Sequence, residues 1–249
     1  MQLLGKVALV TGGTKGIGAA AAIELARRGA DVAIAGRHDD DSAGQVKSQV
    51  ESLGRRFLMI VGDMGNPEDA ARSVQQTVER LGSVDVLVHC AGGVVVGGLF
   101  DVDPQTWQRA FDVHVHALYY LCRAALPGMK QRREGAVVMI SSVAGLRGIH
   151  FNLAYQVVKG ALPQFARALA REVANDNIRV NCIAQGIIRT RFHEEMTPEQ
   201  KQFNLDHRIP LRREGTPEQV ATLIAEVATN DYITGETFTI DGGLTMRIA

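Results

Sequence analysis

Thr11-Gly12-Gly13-Thr14-Lys15-Gly16-Ile17-Gly18 follows directly on the apolar run Lys6 to Val10 and opens a stretch, Gly16 to Arg28, whose apolar residues recur at helical spacing. Strand, glycine turn and helix in that order bring backbone N–H groups and a helix N-terminus to one point, where a pyrophosphate can bind and side chains would obstruct it. A glycine cluster can be no more than a tight turn; its place between strand and helix is what favours a nucleotide. The spacing Gly12, Gly16, Gly18 leaves three residues between the first two glycines rather than one. Gly12, Thr14, Lys15, Gly16, Ile17 and Gly18 are therefore the first candidate ligands of a dinucleotide.

The same alternation runs down the whole chain. Short runs rich in Val and Ile recur at Lys6 to Val10, Asp31 to Ala35, Phe57 to Val61, Val84 to Val88, Ala136 to Ile140, Arg179 to Ile183 and Thr237 to Ile240. Between them lie helix-patterned stretches at Gly16 to Arg28, Asp40 to Leu53, Pro67 to Leu81, Pro104 to Leu126, Leu153 to Val173 and Pro217 to Ala228. Strands apolar on both faces, such as Val7-Ala8-Leu9-Val10, belong in a parallel sheet covered by helices on each side. The expected fold class is α/β, a doubly wound, Rossmann-type parallel sheet of seven strands. No linker, repeat or low-complexity stretch interrupts it, so residues 1–249 read as a single domain. Regular structure is expected to lapse in Ala91 to Leu99 and in Gln185 to Gly215, loops of the kind that carry ligands in such sheets.

Composition narrows the partners. The 27 Lys and Arg balance 27 Asp and Glu, which removes the positive field that polyanion binding needs, so neither nucleic acid nor a membrane is expected as partner. No stretch reads as a signal peptide or approaches a membrane span, and the cytoplasm is the expected location. Cys90, Cys122 and Cys182 have no C-x-x-C spacing and sit among apolar residues, as buried free thiols do; no metal site is expected.

The end of the second strand bears on which nucleotide. An NAD site usually carries Asp or Glu there, bonded to the ribose hydroxyls. Here the strand ends Ala35-Gly36-Arg37, and an arginine suits a 2′-phosphate, with Lys15 as a second cation nearby. NADP(H) is the preferred cofactor on this reading. Asp39, Asp40 and Asp41 temper it, and NAD(H) stays open.

Tyr155 and Lys159 are four apart in a helix-patterned segment and so share a face, and the strand ending at Ser141-Ser142 can deliver a hydroxyl beside them. A tyrosine titrating at about 10 is a poor base until a nearby cation favours its phenolate. Alone, Y-x-x-x-K is a weak signal with an exposed helix pair as its bland alternative.

Together these residues resemble the short-chain dehydrogenase/reductase superfamily, in its members of about this length. The resemblance spans nearly the whole chain: the glycine loop, Asp63 after the third strand, Cys90-Ala91-Gly92 after the fourth, Ser142, Tyr155-x-x-x-Lys159, Tyr232-Ile233-Thr234-Gly235 and Asp241-Gly242-Gly243. It implies a tyrosine that exchanges a proton with a substrate oxygen while nicotinamide C4 exchanges a hydride, Ser142 holding that oxygen, and Lys159 binding the nicotinamide ribose and lowering the tyrosine pKa. It further implies Asp63 and Met64 at adenine, Cys90, Ala91 and Gly92 along the cofactor, and Gly186, Ile188 and Thr190 on its nicotinamide side. Homotetramers are usual in the family.

Three departures stand out. The family's asparagine in the long helix aligns with His114, which would either continue a proton relay from the lysine, titrating in its own right near neutrality, or simply pack against the sheet. Asn-Asn-Ala-Gly becomes His89-Cys90-Ala91-Gly92, and the Pro-Gly after the sixth strand becomes Gln185-Gly186. With Ser142, Tyr155 and Lys159 intact, the expected activity is hydride transfer between nicotinamide and a ketone or secondary alcohol, resembling the 3-oxoacyl-carrier-protein reductases. A sugar, polyol or steroid dehydrogenase shares every motif, and a catalytically idle nucleotide-binding regulator is the alternative of another class. Residues 186–215 are expected to form a substrate lid. Its Arg189, Arg191, Arg208, Arg212 and Arg213, with His193 and His207, would either meet an anionic substrate or pair with Glu194, Glu195, Glu199, Asp206 and Glu214. Phe192, Met196 and Phe203 are its apolar members. Arg147, His150, Phe151 and Asn152, with Val94 to Val96 and Leu99, are the expected pocket lining for a medium-sized ketone or secondary alcohol with one polar end.

Overall fold

A computed structural model describes residues 1–190 and 196–246. Seven strands, β1 (Val7–Thr11), β2 (Asp31–Gly36), β3 (Phe57–Val61), β4 (Val86–His89), β5 (Gly135–Ser142), β6 (Ile178–Gln185) and β7 (Thr237–Ile240), form one sheet in the order β3-β2-β1-β4-β5-β6-β7. Every pairing is parallel, as the two-faced apolar runs require. One face is covered by α1 (Gly16–Arg27), α2 (Asp41–Ser52) and α8 (Pro217–Thr229), which close over Val10, Ile34, Val88 and Ile183. The other is covered by α3 (Pro67–Leu81), α5 (Ala117–Arg132) and α6 (Leu153–Val173), over Leu9, Leu87, Met139 and Cys182.

The order reverses between β1 and β4, and that switch point opens a crevice at the strands' carboxyl ends. Local chemistry fixes where most helices start: Asn66 and Asp103 accept backbone N–H bonds ahead of Pro67 and Pro104, and Thr216 forms a capping box with Gln219 ahead of Pro217.

Two expectations need correction. The helix expected over Pro104 to Leu126 is α4 (Pro104–Phe111), a π turn over Asp112–His116, and α5, which continues through Pro127 to Arg132. The continuation is anchored by fully buried Met129 and by Arg132, which donates to Asp85 and to the Val84 carbonyl. The long Gln185 to Gly215 segment is not irregular throughout: α7 (Pro198–Phe203) begins at a Thr197–Gln200 capping box. None of the helices among the described residues is long and apolar enough to cross a membrane.

Candidate active site

At the switch point backbone meets backbone. A Cβ at Gly12, where φ is 66°, would lie 2.8 Å from the Ala91 nitrogen, and one at Gly18 would lie 2.2 Å from the Gly12 carbonyl oxygen. Only glycine fits there, so the tight turn is real and close approach is its cause. The N-terminus of α1, which follows the glycine turn, lacks a side-chain cap, as do those of α5 and α6, whereas α2, α3, α4, α7 and α8 each have one. Its leading N–H groups are thus left for an anion. Gly16 approaches Thr190, whose Cγ2 would lie 3.3 Å from a Cβ there, which brings the loop after β6 over the glycine loop. These features fit a dinucleotide at the glycine loop.

The two cations behave differently. Lys15 donates to Asp40 at 2.7 Å and holds that carboxyl below the usual range, while Asp40 also caps α2. Arg37 is exposed and makes no hydrogen bond among the described residues. Asp63 accepts from the Gly65 N–H and from Arg109 of α4; these bonds outweigh the effect of burial and lower its pKa, and the charge of Arg37 adds to them. The Met64 side chain is packed in the core, so only its backbone is available to a ligand. Arg109, 46 residues from Asp63, carried no signal in the sequence.

Ser142 closes β5 and Tyr155 and Lys159 lie one helical turn apart on α6, all three buried. The Ser142 hydroxyl accepts from the Ala144 N–H and hydrogen-bonds the Tyr155 phenol. Lys159 Nζ donates to the Ile140 carbonyl at 2.7 Å and lies 5.7 Å from the phenol ring centroid. Burial lowers the lysine to about 8, and it has no carboxylate partner among the described residues. Burial raises the Tyr155 pKa and the Ser142 hydrogen bond opposes that rise, while the Lys159 ammonium donates to a backbone carbonyl.

His114 is buried in the π turn, with Nε2 3.1 Å from the Gly93 carbonyl and its ring edge-on to Tyr155 at 6.1 Å. Burial, with the charge of Lys159, pushes its pKa down to about 2, away from the titration near neutrality that the sequence suggests. His89, in the same way, is pushed to about 3 and joins Thr11 to the π turn. Cys90 is partly buried while Cys122 and Cys182 are fully so, and all three thiols are free.

On the substrate side, Gly97 pairs with Asn152, and the Gln156 carboxamide clamps the Ile149 backbone through both of its ends. His150 and Phe151 are stacked, with Phe151 in a left-handed conformation. The stem of the 186–215 segment is pinned by backbone bonds between Arg189 and Gly215 and between Gly215 and Ile187. Arg189 pairs with buried Glu214, and Arg208 donates to Asn204. Arg191, Phe192, His193, Glu194 and Glu195 lie outside the described residues.

With this geometry in view, residues 12–245 match the family model described as enoyl-(acyl carrier protein) reductase. The chain belongs to the short-chain dehydrogenase/reductase family. It is 34% identical over 253 residues to an L-rhamnose 1-dehydrogenase (NAD(P)(+)) of Sphingomonas sp. strain SKA58, covering all of both chains. It is 34% identical to a 3-oxoacyl-acyl-carrier-protein reductase of Chlamydia muridarum, over 97% of this chain and 98% of the relative. Among solved structures, L-sorbose reductase from Gluconobacter frateurii, complexed with NADPH and L-sorbose, superposes with a TM-score of 0.92 at 30% identity over the whole of both chains. This short-chain dehydrogenase/reductase is an oxidoreductase acting on CH–OH groups, and its cofactor is a nicotinamide dinucleotide.

Proposed function

We propose that the chain is an NADP(H)-preferring reductase of ketones to secondary alcohols, with Tyr155, Ser142 and Lys159 as its catalytic residues. The observation that carries this is the convergence of those three side chains, buried at the sheet's carboxyl edge, beside the uncapped start of α1. Gly186, Ile188 and Thr190 of the loop after β6 would hold a nicotinamide, which would supply or accept the hydride. Tyr155 Oη delivers a proton to the substrate oxygen, and the Ser142 hydroxyl holds that oxygen and steadies the phenol as it ionises. Lys159, cationic at neutral pH, sets its charge 5.7 Å from the ring and favours the phenolate as the proton leaves. Arg37, the cation left uncommitted when Lys15 pairs with Asp40, recognises the 2′-phosphate.

A half-exposed or exposed apolar rim of Val94, Val96, Leu99 and Phe151 favours a 3-oxoacyl-like ketone over a sugar. The described residues of the segment, 186–190 and 196–215, pinned at its stem, border that substrate in one catalytic domain. Exposed Tyr119 on α5 and Val157 on α6 supply apolar surface for a cytoplasmic homotetramer.

The deciding experiment compares wild type with Tyr155→Phe and Arg37→Asp on a 3-oxoacyl thioester and a ketose. The phenylalanine variant is expected to lose nearly all turnover while binding NADPH. Arg37→Asp is expected to shift the preference toward NADH. Turnover retained without the phenol, or tighter NADH binding by wild type, would refute these assignments.

A further inference from the structure

Two buried histidines reach across the carboxyl end of β4, each into the other's backbone. His89 Nε2 lies 3.1 Å from the Val113 carbonyl, which can only accept, so the proton sits on Nε2. Nδ1, 2.8 Å from Thr11 Oγ1, is then the acceptor, and the threonine hydroxyl donates to it while receiving the Ala91 N–H at 3.3 Å. His114, the residue after Val113, returns the bond by donating from Nε2 to the Gly93 carbonyl at 3.1 Å. Both rings are almost wholly inaccessible, at 1% and 2% exposure.

The bonds fix two segments with little regular structure of their own. One is Ala91 to Gly93, where the chain leaves β4. The other is the π turn, in which the Ala117 N–H reaches the Asp112 carbonyl five residues back. The His114 ring presses on Gly92, where a Cβ would fall 2.1 Å from Cε1, and stands edge-on at 84° to the Tyr155 ring. Loss of the extra residue in the turn would rotate His114 by about 100° about the helix axis and away from both contacts.

We propose that His89 and His114 form one reciprocal brace, a pair of positioning residues that sets the π turn against the Ala91 to Gly93 backbone and thereby holds the Tyr155 phenol where it reacts. This rests on the reading of Tyr155 as the proton donor. Neither imidazole touches the reacting atoms: His114 acts through its ring contact with Tyr155, and His89 acts through the Val113 carbonyl.

The test uses His89→Leu, His114→Leu, the double variant and His89→Asn, which restores one donor and one acceptor. Turnover is measured beside the NADPH dissociation constant, read by energy transfer from Trp107, the sole tryptophan. Each leucine variant is expected to lose at least about tenfold in kcat with NADPH affinity held within about threefold, as misplacement of a proton donor predicts. The double variant should be no slower than the slower single, because the brace fails as a unit, and His89→Asn should recover most of the rate. Equal weakening of NADPH binding with kcat retained, or losses that multiply in the double variant, would overturn the brace. If His89→Leu does not fold, His114→Phe decides: it keeps a ring against Gly92 and removes only the bond to Gly93, so an unchanged kcat refutes the proposal. If instead Tyr155→Phe turns over like wild type, the proton-donor reading fails and the brace fails with it, by a different and separately visible result.

Discussion

Acid should unfold this protein through the same two histidines. In the unfolded chain each titrates at its ordinary value of 6.5, whereas burial and the nearby Lys159 ammonium hold His89 at about 3 and His114 at about 2 in the folded state. Among the described residues no carboxylate bonds either ring to oppose this; their partners are the Thr11 hydroxyl and the Val113 and Gly93 carbonyls. Below 6.5 the unfolded chain therefore binds protons that the folded chain refuses, and stability falls as pH falls until the folded values are reached. From about pH 8 to about pH 5 each histidine costs about 2 kcal/mol, so the pair removes about 4 kcal/mol from a total that is typically about 5–15. The figure is insensitive to the folded values, since both lie well below the assay pH, and the depressed carboxylates act only further down. Urea unfolding followed by Trp107 fluorescence at the two pH values measures the difference directly, and in thermal melts it appears as a drop of about 8–16 °C. His114→Asn and His89→Asn should each halve the pH-dependent part, whatever they do to stability at the upper pH. Equal acid sensitivity in wild type and the double asparagine variant would show that these rings are protonated in the folded protein, and the reasoning would fail.

Three other outcomes follow from the packing. Gly12→Ala places a Cβ 2.8–2.9 Å from the Cys90 and Ala91 backbone at a φ of 66°; it should cost about 3 kcal/mol in urea unfolding and abolish NADPH binding in a fluorescence titration. Arg179, buried at 7% exposure, donates to the Val227 and Ala228 carbonyls at the end of α8 at 2.8 and 2.5 Å; Arg179→Met should cost about 2–3 kcal/mol by leaving them unpaired. Burial pushes Cys122 up to about 12 and Cys182 to about 11, so thiol reagents near neutral pH should label these two buried thiols only as fast as the protein opens, with full labelling in urea.

How much of this was legible in the sequence divides along a physical line. Strand and helix placement was readable because each element's apolar period is local, and the caps at Asn66, Asp103 and Thr216 announce their helices in the residues themselves. The meeting of Ser142, Tyr155 and Lys159 was readable because Tyr155 and Lys159 are a helical turn apart and Ser142 ends a strand. The π turn was not, since nothing in the period of Pro104 to Leu126 records an extra residue whose stabilising bond comes from His89, 24 positions away. Electrostatics escaped for the same reason. Lys15 and Arg37 look equivalent as letters, and only the fold brings Asp40 within 2.7 Å of one of them. The pairing of His89 with Val113 and of His114 with Gly93 is a closure of the same kind: two departures that look separate along the chain lie, once β4 and the π turn are adjacent, in hydrogen bonds between the same two segments, beside the Tyr155 ring.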